Sequence, residues 1–429
     1  MRKISKNRKE RVVLCTFFIF ALLSELVHVY IGTNPPEYLR LGYIVVYLFF
    51  CFINVRLIPI FITINLIFER FSMVYGEFLP NTMWFHLVIL FFCYLQIKNA
   101  NKRKSYVSYR LFEYNCIIVF ALYVFLSAFI YINYSFFLYV LFSLLLFNVL
   151  TLLKNEDINL LINYAIISML VICLIALINY DTLAVDYSIT DGAVDRLAWK
   201  DSNYLSFFIG IIFLITLFKV IYAQKITEKN KYILICSIFM VCLLLLISRG
   251  AILALLLACI YYFRKNLFSF KLLKYAFGVL IVVLILYNMG LMDGVLLRFA
   301  SEDMATGSGR TDIWQAGIKT FFSEGIFTIL LGAGEGQAMK MAVLGGQYFS
   351  PHNNYLEIIF NYGIVGFVLF LIWWVSMFVN SKTHEKRALI IFISISNMTI
   401  VPLTYVMPIW IIIPLLLMWD KRIKYIIYD

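Results

Sequence analysis

Apolar runs broken by short clusters of lysine and arginine recur along nearly the whole chain, from Val12 to Ile427, and leave little room for anything else. A helix crossing the hydrocarbon core of a bilayer needs about 20 apolar residues, with a range of roughly 17 to 25. In a chain of 429 residues, 63% hydrophobic and 14% charged, that length leaves no space for a separate soluble domain. The expected fold is an all-α polytopic integral membrane protein of about 12–14 transmembrane helices, forming one membrane domain over residues 1–429.

The formal charge of +12 does not describe a nucleic-acid surface, because the basic residues sit between apolar runs, with no continuous basic face and no aromatic-basic recognition motif. They follow the rule that cytoplasmic loops retain Lys and Arg. The leader, with Arg2, Lys3, Lys6, Arg8, Lys9 and Arg11, is then cytoplasmic. The run 12–31 has the outline of a signal peptide. It is too long for one, lacks a small-residue cleavage site and holds Glu25 and His28, so it is read as the first helix.

Parity carries through from there. Helices are expected over residues 41–54, 57–69, 84–97, 114–131, 135–153, 159–179 and 203–222, then a hairpin around Ser248, a helix over 275–290, another over 354–379 and a last hairpin turning near Pro408. Arg56, the cluster from Lys98 to Arg110, Lys154, Lys225, Arg264, Lys382 and Lys421 all return to the inner side, and both termini are expected in the cytoplasm. All but nine of the 36 Lys and Arg residues fall inside. The exceptions are Arg40, Arg70, Arg196, Lys200, Arg249, Arg298, Arg310, Lys319 and Lys340, and function is sought among them. All eight cysteines lie within apolar runs, which indicates neither a disulfide framework nor a zinc site. There is no repeat at a solenoid period.

The polar residues gather instead in a loop expected outside, 291–353, between the eleventh and twelfth helices. The hairpin before it is short. Between Lys231 and Arg264 two crossings share 32 residues, or roughly 24 Å of helix each against a core of about 30 Å. Ser248-Arg249-Gly250 then sits below the outer surface, where a guanidinium is costly unless it meets an anion such as a lipid phosphate. The plainer alternative is an arginine that snorkels outward.

In the loop before the helix at 203, Arg196 and Lys200 suit phosphate or sugar, Trp199 suits stacking on a sugar ring, and Asp201 to Asn203 suit capping. Thr311 to Ser323 places Ile313, Trp314, Ile318, Phe321 and Phe322 near one stripe, as in an interfacial amphipathic helix roofing a cavity, with Arg310 at its start. Gly332-Ala333-Gly334-Glu335-Gly336 can approach a phosphate, or Glu335 can act as a cap. His352 directly precedes a helix whose positive end keeps an imidazole neutral, as a proton acceptor must be; a solvated loop histidine is the alternative. Asn353 and Asn354 are possible caps. No Asp-x-Asp or Glu-x-Asp occurs, so the usual carboxylate pair that holds a cation on a sugar diphosphate is absent, and no cofactor or metal is expected.

These residues resemble the superfamily of O-antigen polymerases (Wzy-type) and O-antigen ligases. The resemblance rests on Ser248-Arg249-Gly250-Ala251 between short helices, Gly309-Arg310 followed by Trp314, the Gly332–Gly336 turn, and His352-Asn353 followed after nine residues by Gly363 and then Gly366. It covers residues 196–375; the first helices match only in hydropathy. It implies a metal-independent transfer of oligosaccharide from an undecaprenyl-diphosphate carrier on the outer face of a bacterial inner membrane, building O-antigen or capsular polysaccharide or ligating finished glycan to lipid A core or another acceptor. It further implies that Arg249 and Arg310, with Arg196, hold the leaving diphosphate and that His352 accepts the acceptor's proton. Trp199, Lys200, Glu335, Asn353 and Tyr355 are further candidates for positioning substrate, and a chain-length regulator is a further partner that the resemblance suggests. A flippase or transporter of lipid-linked units is the reading from another class; it calls for midplane charges and related halves, which this chain does not display.

Overall fold

A computed structural model describes residues 2–31, 37–71, 82–100, 112–178, 184–189, 192–197, 202–246, 248–265, 281, 284, 287–288, 290, 309–344, 346–400, 403 and 408–428. In chain order the first elements are α1 Arg2–Ile31, α2 Glu37–Ile53, α3 Ile58–Phe71, α4 Thr82–Ala100, α5 Phe112–Tyr131, α6 Ser135–Leu152 and α7 Asn155–Ile178. A hairpin of β1 Ala184–Ile189 and β2 Gly192–Leu197 follows, then α8 Ser202–Tyr222, α9 Ile226–Leu245 and α10 Arg249–Phe263. Beyond Gly309 come α11 Arg310–Ser323, α12 Ile326–Leu331, α13 Ala338–Met341, the strands β3 Val343–Leu344 and β4 Gln347–Tyr348, α14 Asn354–Val379, α15 His384–Ser396, α16 Ile409–Met418 and α17 Lys424–Tyr428.

The protein is an all-α polytopic membrane protein. Among the described residues α5, α6, α7, α8 and α14 are each long and apolar enough to cross a bilayer, and α2 with α3 makes a sixth candidate bent by 114°. The helix expected over 275–290 lies almost entirely outside the described residues, as does much of the loop from 291 to 308. One departure from the all-helical expectation is the hairpin β1–β2, which pairs antiparallel from Ala184 with Leu197 to Ile189 with Gly192. Val185, Tyr187 and Ile189 alternate ahead of Asp191-Gly192, a strand-and-turn pattern too short to stand out beside the helical runs.

The chain divides into two compact units, Met1–Leu111 with Phe137–Ile172 and Val406–Asp429, and Phe112–Phe136 with Cys173–Tyr405. In the first, Arg56 Nη2 lies 2.6 and 2.8 Å from the two carboxylate oxygens of Asp157, and Arg56 Nη1 lies 3.8 Å from Glu10. Arg422 donates to Asn155 Oδ1 at 2.9 Å and to the carbonyls of Leu150 and Leu153 at 2.9 and 2.5 Å. The leader, the Arg56 turn, the start of α7 and the C-terminal basic cluster, all expected on one side, therefore meet at one end of that unit.

In the second unit α8 is buried along most of its length and packs on α9 and α15, α10 packs on α15, and α5 packs on α14. Lys386 at the start of α15 pairs with Glu113 at the start of α5 at 3.8 Å, both nearly shut off from solvent, and the neighbouring Glu385 accepts from Tyr222 and Tyr262. At the opposite end, α14 is broken. Gly363 sits at φ 67° and ψ −174°, which interrupts the helical ladder nine residues after the helix begins. The carbonyls this releases are taken by another segment: Ala333 N–H donates to Phe360 O at 2.9 Å and Gly334 N–H to Asn361 O at 3.0 Å. Tyr123 of α5 donates to Tyr362 O at 2.8 Å and Tyr131 to Gly332 O at 2.8 Å. Within a bilayer a broken helix is tolerated only where neighbouring groups satisfy its backbone in this way.

The fit requires glycine at both faces. A Cβ on Gly363 would lie 2.3 Å from Leu330 O, and one on Gly332 would lie 2.2 Å from Asn361 O. Gly363→Ala combines that backbone collision with a left-handed residue costing roughly 1–3 kcal/mol. It is expected to lower the thermal midpoint in detergent by several degrees or to abolish recovery of folded protein. An unchanged midpoint would show that the kink is not needed.

Candidate functional site

Three helices begin around one turn. The segment Asn397–Thr399 follows α15 directly. Arg310, the first residue of α11, donates from Nη1 to Thr399 O at 2.8 Å. Gly250, second in α10, approaches the same residue so closely that a Cβ there would be 2.3 Å from Thr399 Oγ1. Asn354, first in α14, donates its N–H to Asn397 O at 2.7 Å, and its Oδ1 accepts from Leu403 N at 3.3 Å. Arg249, Arg310 and the residues just before Asn354, His352 among them, are thereby brought to one end of one unit, and all three are half-buried. Helix N-termini carry partial positive charge, so three of them gathered beside the Arg310 guanidinium form a neighbourhood suited to an anion.

Each start is fixed locally. Ser248, which precedes α10, donates to Asn203 Oδ1 near the start of α8 at 3.1 Å. α10 has 15 residues, about 22 Å of helix against a core of about 30 Å. Trp314 Nε1 of α11 donates to Pro351 O at 2.6 Å, pinning the residue before His352. Asn353 caps α14, its Oδ1 accepting from Tyr355 N and Leu356 N at 3.0 and 3.2 Å. Between these two fixed points His352 adopts φ 45°. A left-handed conformation costs a residue other than glycine about 1–3 kcal/mol and persists where its surroundings over-determine it.

Tyr355 donates to Ser394 O at 3.0 Å, tying α14 to α15. Below these starts, Asn354 Nδ2 and Ser396 Oγ are buried without a hydrogen-bond partner among the described residues, and the buried Asn397 side chain lies beside Tyr355. Neither Asn397 nor Thr399 stood out in the sequence. The signal was there as Ser394, Ser396, Asn397 and Thr399, four polar residues where the final apolar hairpin should run uninterrupted.

Glu335 has a different setting. Its Oε1 accepts from Phe136 N at 2.7 Å, capping the start of α6, and Tyr362 OH lies 3.3 Å from Oε2. Asn133 Nδ2 lies 3.3 Å from the Glu335 carbonyl. The glycine turn around it joins the α5–α6 connection to the α14 break, and the N–H groups of Ala333 and Gly334 are consumed there. Arg196 lies on β2 opposite Val185. Trp199 and Lys200 lie outside the described residues.

Burial raises the Glu335 carboxyl from 4.5 to about 7 against the lowering effect of Phe136 N–H and Tyr362 OH. With the folded value above the unfolded one, its contribution to stability is fully present below about 4.5 and is lost as pH rises through 7. Glu335→Gln is expected to flatten that part of the stability–pH curve, measured as the thermal midpoint in detergent between pH 4.5 and 8. A slope identical to wild type would place the titration elsewhere.

Residues 232–371 match the family model Wzy_C, described as O-antigen ligase. The matched stretch includes Arg249, Arg310, Glu335, His352, Asn353 and Tyr355 and runs through the α14 kink; it leaves out Arg196 and the Asn397–Thr399 turn. This supports the O-antigen polymerase/ligase superfamily and a glycosyl-transferring enzyme. No curated protein matches the chain.

Proposed function

We propose that this protein polymerises polyprenyl-diphosphate-linked oligosaccharide, transferring the glycan of one lipid-linked unit onto a sugar hydroxyl of another. The observation that supports the reading is that Arg310, Gly250 next to Arg249, and Asn354 two residues after His352 all contact the Asn397–Thr399 turn. In the reaction the acceptor hydroxyl attacks the anomeric carbon, a glycosidic C–O bond forms, and the bond to the diphosphate oxygen breaks. Charge then builds on the departing polyprenyl diphosphate. In this reading Arg249 and Arg310 compensate that charge, with Arg196 as a further cationic contact, since guanidinium forks suit phosphate oxygens. His352, held between the Trp314–Pro351 bond and the Asn353 cap, takes the acceptor's proton; the adjacent helix start favours the neutral imidazole that this requires. Much of the acceleration comes from positioning two large substrates.

Trp199, Lys200, Asn353 and Tyr355 belong to this reading as residues that shape the substrate path. Glu335 acts by holding the loop to the start of α6. The active face is the outer side of a bacterial inner membrane, where a lipid-linked donor presents its glycan. A second reading, ligation of finished polymer to another acceptor, is favoured by the description of the matched family model.

The test is surface glycan from a deletion strain carrying wild type, Arg249→Ala, Arg310→Ala or His352→Ala at matched expression. Removing a preorganised charge partner costs about 10²–10³ in rate, and a general base about 10²–10⁴. The expected result is single repeat units in place of a ladder. Loss of all attached glycan, with lipid-linked polymer accumulating, would establish the ligase. A normal ladder from all three variants would overturn the site.

A further inference from the structure

The short helix α12 reads Ile326-Phe327-Thr328-Ile329-Leu330-Leu331 and buries none of its residues. Ile326 and Phe327 are 60% and 77% exposed, and Leu330 and Leu331 are exposed as well. Phe322, the next-to-last residue of α11, is exposed too and lies four residues before α12. Soluble surfaces scatter such residues singly, and a contiguous set marks a contact with something apolar.

Its level along the membrane-spanning helices identifies that contact. Leu331 O accepts from Tyr123 OH at 3.2 Å and Gly332 O from Tyr131 OH at 2.8 Å. Tyr131 is the last residue of α5 and Tyr123 lies eight residues earlier, a separation of about 12 Å at 1.5 Å per residue. The end of α12 is therefore bracketed within the last turns of a span. The backbone around Leu330 abuts Gly363, nine residues inside α14, another span. Over those turns α5 turns Leu122, Phe125, Leu126 and Phe129 outward, the apolar band of a helix in lipid. Ser323 and Glu324, just before α12, are exposed and polar, as expected where a chain leaves the headgroup layer. The backbone requirement is met too, since the turn that follows α12 spends its N–H groups on the α14 break.

We propose that α12 is a membrane-dipping tip whose exposed face, Phe322, Ile326, Phe327, Leu330 and Leu331, is covered by the acyl chains of bilayer lipid. The segment after Arg310 then does more than roof the site. It seats one wall of it in the bilayer, so that a headgroup diphosphate at the level of Arg310 and the apolar chain below it meet the same loop. The contact with lipid stands on the exposed residues and their level alone and does not depend on the proposed glycosyl transfer.

The test uses the full chain in vesicles of phosphatidylethanolamine and phosphatidylglycerol, with labelling read peptide by peptide in a mass spectrometer so that the native cysteines do not interfere. Phe327→Cys and Leu330→Cys report the proposed lipid face, and Gln315→Cys and Lys319→Cys report the exposed side of α11. A charged, membrane-impermeant maleimide is expected to modify the α11 thiols at least tenfold faster than the α12 thiols. Wild-type protein in vesicles doped with a phosphatidylcholine carrying a diazirine in its acyl chain is expected to crosslink within the peptide holding residues 326–331. Equal labelling at all four positions would overturn the proposal by placing α12 in water. Slow labelling without a lipid crosslink would overturn it by showing that protein covers the face. Should one cysteine variant fail to fold, the other and the wild-type crosslink still decide.

Discussion

A helix that breaks inside a bilayer must hand its released carbonyls to a donor other than water, and α14 hands two of them to Ala333 and Gly334. Much else at this end of the unit follows from that exchange. It draws the Gly332–Gly336 turn down against Gly363, which only a residue without a side chain permits on either surface. It sets Glu335 where its carboxylate caps the start of α6, and it leaves α12 suspended at the level of the last turns of α5. The nine residues of α14 ahead of the break become a short helix of their own, with a start that can be aimed independently of the long membrane-spanning part. That start carries Asn353 and, just before it, His352.

The Asn397–Thr399 turn does for the other two helices what the kink does for α14. A backbone carbonyl receives a guanidinium, a threonine side chain receives a bare glycine, and a second carbonyl receives the first N–H of α14. The result is a set of helix starts gathered at one turn, with Arg310 held by a carbonyl and Arg249 placed beside the fixed Gly250. Preorganised charge of this kind is effective because it needs no rearrangement when negative charge appears. The opposite end of the unit has a different character, with Lys386, Glu113 and Glu385 paired among carboxylates and tyrosines.

Much of this was legible from residue order. The bounds of α14, the helix at 310–323 with its arginine first, and the clustering of Arg56, Asp157 and Arg422 at one end followed from hydropathy length, capping residues and charge parity. The glycine turn was visible as glycine but ambiguous, since a loop that cradles phosphate and one that packs on a broken helix both need small residues. The pairing of 333–334 with 360–361 is a long-range backbone contact, which leaves no trace in periodicity. Thr399 was hidden for a related reason: its carbonyl receives Arg310 and its side chain packs on Gly250, long-range contacts that residue order does not display. The short hairpin β1–β2 was masked by the dominance of helical runs on both sides.

The central claim is that Arg249 and Arg310 form one anion site for a lipid diphosphate. Its most direct test is the affinity of the purified protein for undecaprenyl diphosphate, compared among wild type, Arg249→Ala and Arg310→Ala in vesicles. A charge-assisted hydrogen bond contributes about 1.5–3 kcal/mol, so each loss should weaken binding roughly 10- to 150-fold. Raising salt from low to high concentration should weaken the wild type toward the variants. Wild-type affinity in both variants would mean that the two arginines serve the fold alone and that the diphosphate binds elsewhere.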